Sequence, residues 1–280
     1  MAPAQDIHDP NPTVRLLGLA FAGADLVFEV TNQGEITFAL GAAERLTGLN
    51  DTALIGRHWQ SLVGDDDSEL LSALLTGLQA GERQGPLRVT LKSPKAGRLA
   101  RFGSLSVFRL PQLGERVSCA LSLGAPGGMD QVATQGGALM APENFTTAAS
   151  QMLAEADRAG LSLRLDLVQL DGLQDSLANL SPEAAEAARK RMAATLRAES
   201  YAGLGAAEIA QDRFALVRTA ASSNQRLEER LGQATGGVVK PQTAQLPLSA
   251  GSVSQNMRAM RYALDRYLED GPDAGTAGGD

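Results

Sequence analysis

Ala207-Glu-Ile-Ala-Gln-Asp-Arg-Phe-Ala-Leu-Val217 is the stretch on which the reading of this chain turns. Ile209 on one side and Phe214, Leu216 and Val217 on the other are apolar. Gln211-Asp212-Arg213 between them supplies a polar turn, so the stretch predicts two strands folded back on each other. Working outward, Leu161 to Leu170 reads as a central strand, and Ser181-Pro182-Glu183 opens a helix with an N-cap, a first-turn proline and an acid. Ala185, Ala188, Met192 and Leu196 form the inward face of that helix. A helix over 143–159, ended by Gly160, precedes the strand, and another over 224–234 follows the hairpin.

That order resembles the GGDEF domain, the cyclic-di-GMP synthase fold, and the hairpin resembles its signature. Asp212, Phe214 and the Ala215-Leu216-Val217 continuation match, while the family's two glycines correspond to Ala210 and Gln211 and its glutamate to Arg213. Glycines there let the backbone approach phosphate, which side chains on Ala210 and Gln211 would block. Hard cations bridging a triphosphate need oxygen ligands, and Arg213 puts a cation at a ligand position. On the first strand the family's metal aspartate is Gln169. Asp171 is kept, but the phenylalanine and lysine after it are Leu173 and Gln174, and the guanine-contacting pair corresponds to Leu177 and Ala178. Met140-Ala-Pro-Glu-Asn-Phe145 stands where the family has its opening motif. The resemblance therefore implies a fold retained after loss of catalysis, with Asp171 and Asp212 as ordinary turn and helix-start residues. No catalytic or metal-binding residue is assigned.

The 280 residues exceed what one core usually needs, which predicts two domains. A hydrophobic fraction of 44% suffices for packed cores, and with only 4% aromatic residues Leu, Val and Ala do most of the packing. The net charge of −7, with both signs interspersed, argues against a nucleic-acid or anionic-membrane partner. Cys119 is the only cysteine, and His8 and His58 the only histidines, so a disulfide and a zinc cluster are excluded. The longest apolar run, 16–24, falls short of the ~20 residues of a membrane helix, and Asp6 and Asp9 stand where a signal peptide carries positive charge. A cytoplasmic protein is expected.

Toward the N-terminus, Asp25 to Val30 and Glu35 to Leu40 read as strands joined by the turn residues Asn32-Gln33-Gly34. Short helical pieces follow over 42–46 and 51–54. Asp65-Asp66-Asp67 is read as the acidic first turn of a longer helix carrying Leu70, Leu71, Leu74, Leu75 and Leu78. Three strands are expected over 86–91, 98–110 and 116–123. The order and the motifs Asp25-x-Val27-Phe28-Glu29-Val30, Gly34-Glu35-Ile36-Thr37, Ala43-Glu-Arg-Leu-Thr-Gly48, Leu54-Ile-Gly-Arg57 and Asp65-Asp-Asp67 resemble the PAS fold over 14–124. That resemblance implies a sensory domain with room for an unknown ligand between sheet and helices. The residues name no cofactor: the longer helix offers no histidine to a haem, and Trp59 stands where a flavin-adduct cysteine would. Phe28, Phe38, His58, Trp59, Phe102 and Phe108 are the candidate lining of a PAS pocket, or simply core and surface.

The expected architecture is α+β. A flexible N-terminus (1–13) leads to a PAS domain (14–124) with a five-stranded antiparallel sheet. A Gly/Pro-containing linker (125–142) joins it flexibly to a degenerate GGDEF-like α/β sandwich (143–250), followed by a C-terminal helix (251–270) and a disordered tail (271–280). Val253, Met257, Met260, Leu264 and Tyr267 make a short heptad seam that either docks on its own domain or pairs with a partner helix. Chains with this pairing commonly continue into an EAL phosphodiesterase domain. Arg261-Tyr-Ala-Leu-Asp-Arg-Tyr267 resembles the run-in to one, although no Glu-Ala-Leu motif is present. The resemblance thus implies a homodimeric, non-enzymatic regulator of cyclic-di-GMP signalling that acts on a partner or on an EAL domain. An interaction scaffold without a ligand and an active diguanylate cyclase are the alternatives.

Overall fold

The computed structural model describes residues 12–92, 101–124, 138–237, 239–248 and 252–270. The expected lead-in (1–13) and linker (125–142) fall largely outside the described residues, as does the start of the strand expected over 98–110; the tail (271–280) falls wholly outside. The chain enters through α1 (Pro12–Gly23), which the sequence reading did not foresee. In β1 (Leu26–Val30) alternate side chains are buried, so one face of the strand meets a core and the other does not. β2 (Ile36–Gly41), the short helices α2 (Ala43–Thr47) and α3 (Asp51–Leu54), and α4 (Ser68–Gly77) follow. β3 (Arg83–Leu91), β4 (Arg101–Phe108) and β5 (Val117–Leu123) complete a five-stranded sheet ordered β2-β1-β5-β4-β3, each neighbouring pair antiparallel. Its inward residues Leu26, Phe28, Val30, Val89, Leu105, Val107, Cys119 and Leu121 pack on Leu46, Leu54, Trp59, Leu71, Leu74 and Leu78 from the helices.

Asp65–Asp67 is a separate 3₁₀ turn ahead of α4 rather than the helix's first turn, and the Asp67 side chain makes no capping bond. It is buried and turned elsewhere. The leucine stripe of α4 is likewise divided. Leu71, Leu74 and Leu78 join the first core, while buried Leu70 approaches Gly203 in the second half of the chain.

The second sheet is built from β6 (Leu163–Asp171), β7 (Ala206–Ala210), β8 (Arg213–Thr219) and β9 (Lys240–Leu248), ordered β7-β8-β6-β9 with every pairing antiparallel. One face packs on α5 (Pro142–Arg158) and α9 (Val253–Asp270), through Phe145, Met152, Leu165, Val217, Met260 and Tyr267 among others. The opposite face packs on α6 (Leu173–Ala178), α7 (Pro182–Glu199) and α8 (Asn224–Ala234), through Val168, Leu196, Phe214, Leu216, Leu227 and Leu231. The whole described chain is α+β: two antiparallel sheets, each layered with helices.

The two halves meet. α4 lies against α7, and β3 lies against the 3₁₀ turn Tyr201–Gly203. Gly203 has φ +72 and brings its backbone close to Leu87 and Leu70; a Cβ there would lie 3.2 Å from Leu87. The expectation of a merely flexible joint missed this contact.

Candidate functional site

The signature hairpin is tighter than its sequence suggests. Only Gln211 and Asp212 form the turn, and Arg213 is already the first residue of β8, so its assignment to the turn is corrected. Asp212 takes the left-handed position at φ 60, a conformation Asp tolerates better than most residues. Its carbonyl accepts from the backbone N–H of Leu170 at 2.9 Å, tying the turn to β6, and its Oδ1 accepts from Gln174 Nε2 at 2.8 Å. Ala210 pairs with Arg213 across the hairpin, and Phe214 points into the core.

Gln169 and Arg213 face each other across β6 and β8. The sequence resemblance placed metal ligands at both positions. Instead, the Gln169 amide donates to Asp171 Oδ1, and Gln242 on β9 donates to Asp171 Oδ2 at 2.7 Å, so both oxygens of the retained carboxylate are engaged. Arg213 Nη1 donates to the carbonyl of Tyr267 at 2.8 Å and to that of Leu268 at 3.0 Å, in the last turn of α9. A guanidinium there suits the negative end of the helix dipole. The guanidinium lies 5.5 Å from the Tyr267 ring centroid. Tyr267 is buried, its hydroxyl has no hydrogen-bond partner among the described residues, and burial raises its pKa against the opposing pull of Arg213.

A divalent cation does not fit this donor set. An amide and a guanidinium hold the two ligand positions, both oxygens of Asp171 and Oδ1 of Asp212 accept amide hydrogens, and the end of α9 reaches the same place. The heptad seam of α9 is turned onto its own sheet: Met257, Met260, Leu264 and Tyr267 all lie in the second core. The alternative of a seam held free for a partner helix is corrected accordingly.

In the first domain, the six candidate pocket residues divide. Phe28 and Trp59 line the space between sheet and helices, together with Leu71, Leu75, Val107, Cys119 and others. That space has about 20 Å³ of free volume, room for about one water and far below the ~300 Å³ of a small-molecule pocket. Phe38, Phe102 and Phe108 are not part of it. β4 turns its odd-numbered residues 103, 105 and 107 inward, which puts Phe102 and Phe108 on the sheet's outer face, where the Arg88 guanidinium lies 3.7 Å from the Phe102 ring centroid. Phe38 stands on the same outer face, 41% exposed, beside a depression of about 460 Å³ that Phe108, Arg83 and Glu29 also line. His58 is exposed and caps a 3₁₀ turn, its Nδ1 accepting from the N–H of Gln60 at 3.3 Å. Cys119 is buried, and burial holds its thiol far above the usual range.

Sequence reading missed a charged seam between the domains. Asp67 accepts from the Thr90 N–H at 2.6 Å and from Arg197 Nη2 at 2.9 Å, with both side chains nearly fully buried. Arg218, with no exposure at all, bridges Asp166 at 2.9 Å and Glu199 at 2.7 Å. Glu199 also pairs with Arg230, whose guanidinium covers Gly77 and donates to the Ala73 carbonyl of α4. Arg226 donates to the Gly77 carbonyl at 3.1 Å and pairs with Glu82, and burial beside Arg230 lowers its pKa to about 10. One signal was legible: Arg164 and Asp166 sit two apart within the leucines of β6, on one face of a buried strand, where isolated charges would be costly.

Among curated proteins, none matches the chain. Among solved structures, similar chains include the PAS domain of an HTR-like protein from Haloarcula marismortui, at 17% identity and TM-score 0.33, covering 40% of this chain and 91% of that one. A sensory box/GGDEF family protein from Caulobacter crescentus is similar at 18% identity and TM-score 0.32, over 51% of this chain and 98% of that one. A GGDEF-only fragment of a Pseudomonas aeruginosa protein is similar at 17% identity and TM-score 0.32, over 45% and 83%. The family model of the PAS fold matches residues 23–104, the span from the end of α1 into β4. The sheet order and helical cover agree with that match, and residues 23–104 carry a PAS domain.

Proposed function

We propose that the chain is a non-catalytic regulator in cyclic-di-GMP signalling, in which the PAS domain is the input and the second domain is a GGDEF-like fold that no longer handles nucleotide. The observation that carries this reading is the use made of Arg213. It stands opposite Gln169, where the resemblance expects two metal ligands, and its hydrogen bonds hold the end of α9 against the hairpin. In this reading the protein works as a cytoplasmic homodimer and controls a partner, or an EAL phosphodiesterase domain in the same or another polypeptide, without contacting nucleic acid or membrane. Among the described residues no helix is long and apolar enough to cross a membrane.

The test is an assay of the purified chain with GTP and magnesium or manganese. No cyclic dinucleotide and no nucleotide binding are expected, and turnover would overturn the reading. Light scattering checks the dimer, which a monomer at every concentration would remove.

A second reading, an interaction scaffold with no small-molecule ligand, is favoured by the filled space around Trp59. The absorbance spectrum and native mass of freshly purified protein separate the two: a co-purifying chromophore or adduct rules out the scaffold.

A further inference from the structure

We infer that β8 is a mechanical link between the PAS domain and the end of α9, so that the packing of α4 sets how firmly the last turn of α9 is held. The inference stands whether or not the hairpin is catalytic, because it rests on contacts at the two ends of one strand.

At its C-terminal end, β8 carries Arg218, which is gripped by Asp166 and by Glu199, the last residue of α7. Glu199 shares its carboxylate with Arg230, and Arg230 and Arg226 of α8 donate to carbonyls of Ala73 and Gly77 at the end of α4. On its other side α4 lines the PAS interior, where Leu71 and Leu75 stand with Trp59. At its N-terminal end β8 carries Arg213, which holds the carbonyls of Tyr267 and Leu268. The two arginines are five residues apart, about 17 Å along an extended strand. Their side chains leave opposite faces of the sheet: Arg218 joins the α7 and α8 side, and Arg213 the α9 side.

The strand between them cannot easily absorb a shift. Phe214, Ala215, Leu216 and Val217 are all buried, and β8 is paired to β6 on one side and β7 on the other. A displacement of α4 therefore has a continuous chain of charge-assisted contacts and one stiff element through which to reach α9. A change in the PAS core that moves α4 would loosen or tighten the grip of Arg213 on the final turn, with no rearrangement of the sheet.

Hydrogen exchange on the full chain tests this. Arg230→Met removes the contacts to Ala73 and Glu199. The expected result is faster exchange of amides in 264–270, by about two- to thirtyfold, the range such couplings span, with protection in β6 unchanged. The reverse arm uses Arg213→Gln, far from the domain seam: coupling is reciprocal, so exchange in 70–77 should rise and Trp59 emission should shift. Should Arg230→Met disturb only α4, α7 and α8 while α9 keeps its protection, or should Arg213→Gln leave α4 and Trp59 unchanged, the link does not exist. If Arg230→Met fails to fold, the Arg213→Gln arm decides alone.

Discussion

The carboxylate of Asp67 and the guanidinium of Arg197 meet at 2.9 Å although 130 residues separate them, and both are almost completely removed from water. A buried ion pair is weak evidence of net stabilisation, yet removing one member strands the other. Arg197→Met should cost about 3 kcal/mol, while replacing both with apolar residues of similar size recovers most of that loss. Urea unfolding of the single and double variants checks it. A single variant as stable as the parent would mean that water reaches the seam.

Gln169 and Arg213 are register partners, so Gln169→Asp with Arg213→Glu places two carboxylates directly across adjacent strands. Like charges there destabilise by up to about 1 kcal/mol. The double variant should melt lower than the parent in chelator. Magnesium or manganese at ten times the dissociation constant should return about 1.4 kcal/mol, whereas the parent is unmoved by either ion. A parent melting point that rises with manganese would contradict the donor set described above.

The interior beside Trp59 is already filled, so Leu71→Ala should cost about 2–5 kcal/mol, part transfer and part cavity. Trp59 is the only tryptophan, so its emission reports the hole directly. An unchanged spectrum together with a loss below 1 kcal/mol would indicate that the core collapses freely around that position.

Burial holds the Glu155 carboxyl above its ordinary pKa, opposed more weakly by Arg158, and its Oε2 is buried with no hydrogen-bond partner among the described residues. The native state therefore binds this proton more tightly than the unfolded chain does. The contribution is complete below the ordinary carboxylate pKa and is lost as pH rises through the raised value. Glu155→Gln should be more stable than the parent at about pH 7.5, with the advantage shrinking as the pH falls toward about 4.5. Denaturant midpoints across that window measure it; an advantage that does not vary with pH would assign the effect to packing instead.

Much of the architecture was legible because it rests on local pattern. Alternation marks β1, apolar blocks mark β6 and β8, and Ser181 with Pro182 marks the start of α7. β9 was missed for a physical reason. Lys-Pro-Gln-Thr-Ala-Gln-Leu-Pro-Leu has two prolines and little apolar content, and such a strand is tolerated only at a sheet edge, where it lies against β6 along its whole length. The site was half legible. The identities of Gln169 and Arg213 were read from the chain, but the target of Arg213, carbonyls more than fifty residues on, could not be. Apart from Arg164 and Asp166, the seam between domains was illegible for a similar reason: Arg197, Arg226 and Arg230 lie on helices whose charged residues read as solvated until the partner surface is known.

Among the described residues the interior beside Trp59 has room for about one water, so any larger guest would have to move α4 off the sheet. The outer face of the same sheet keeps its free volume instead, in a depression of about 460 Å³ where Phe38 and Phe108 stand beside Arg83 and Glu29.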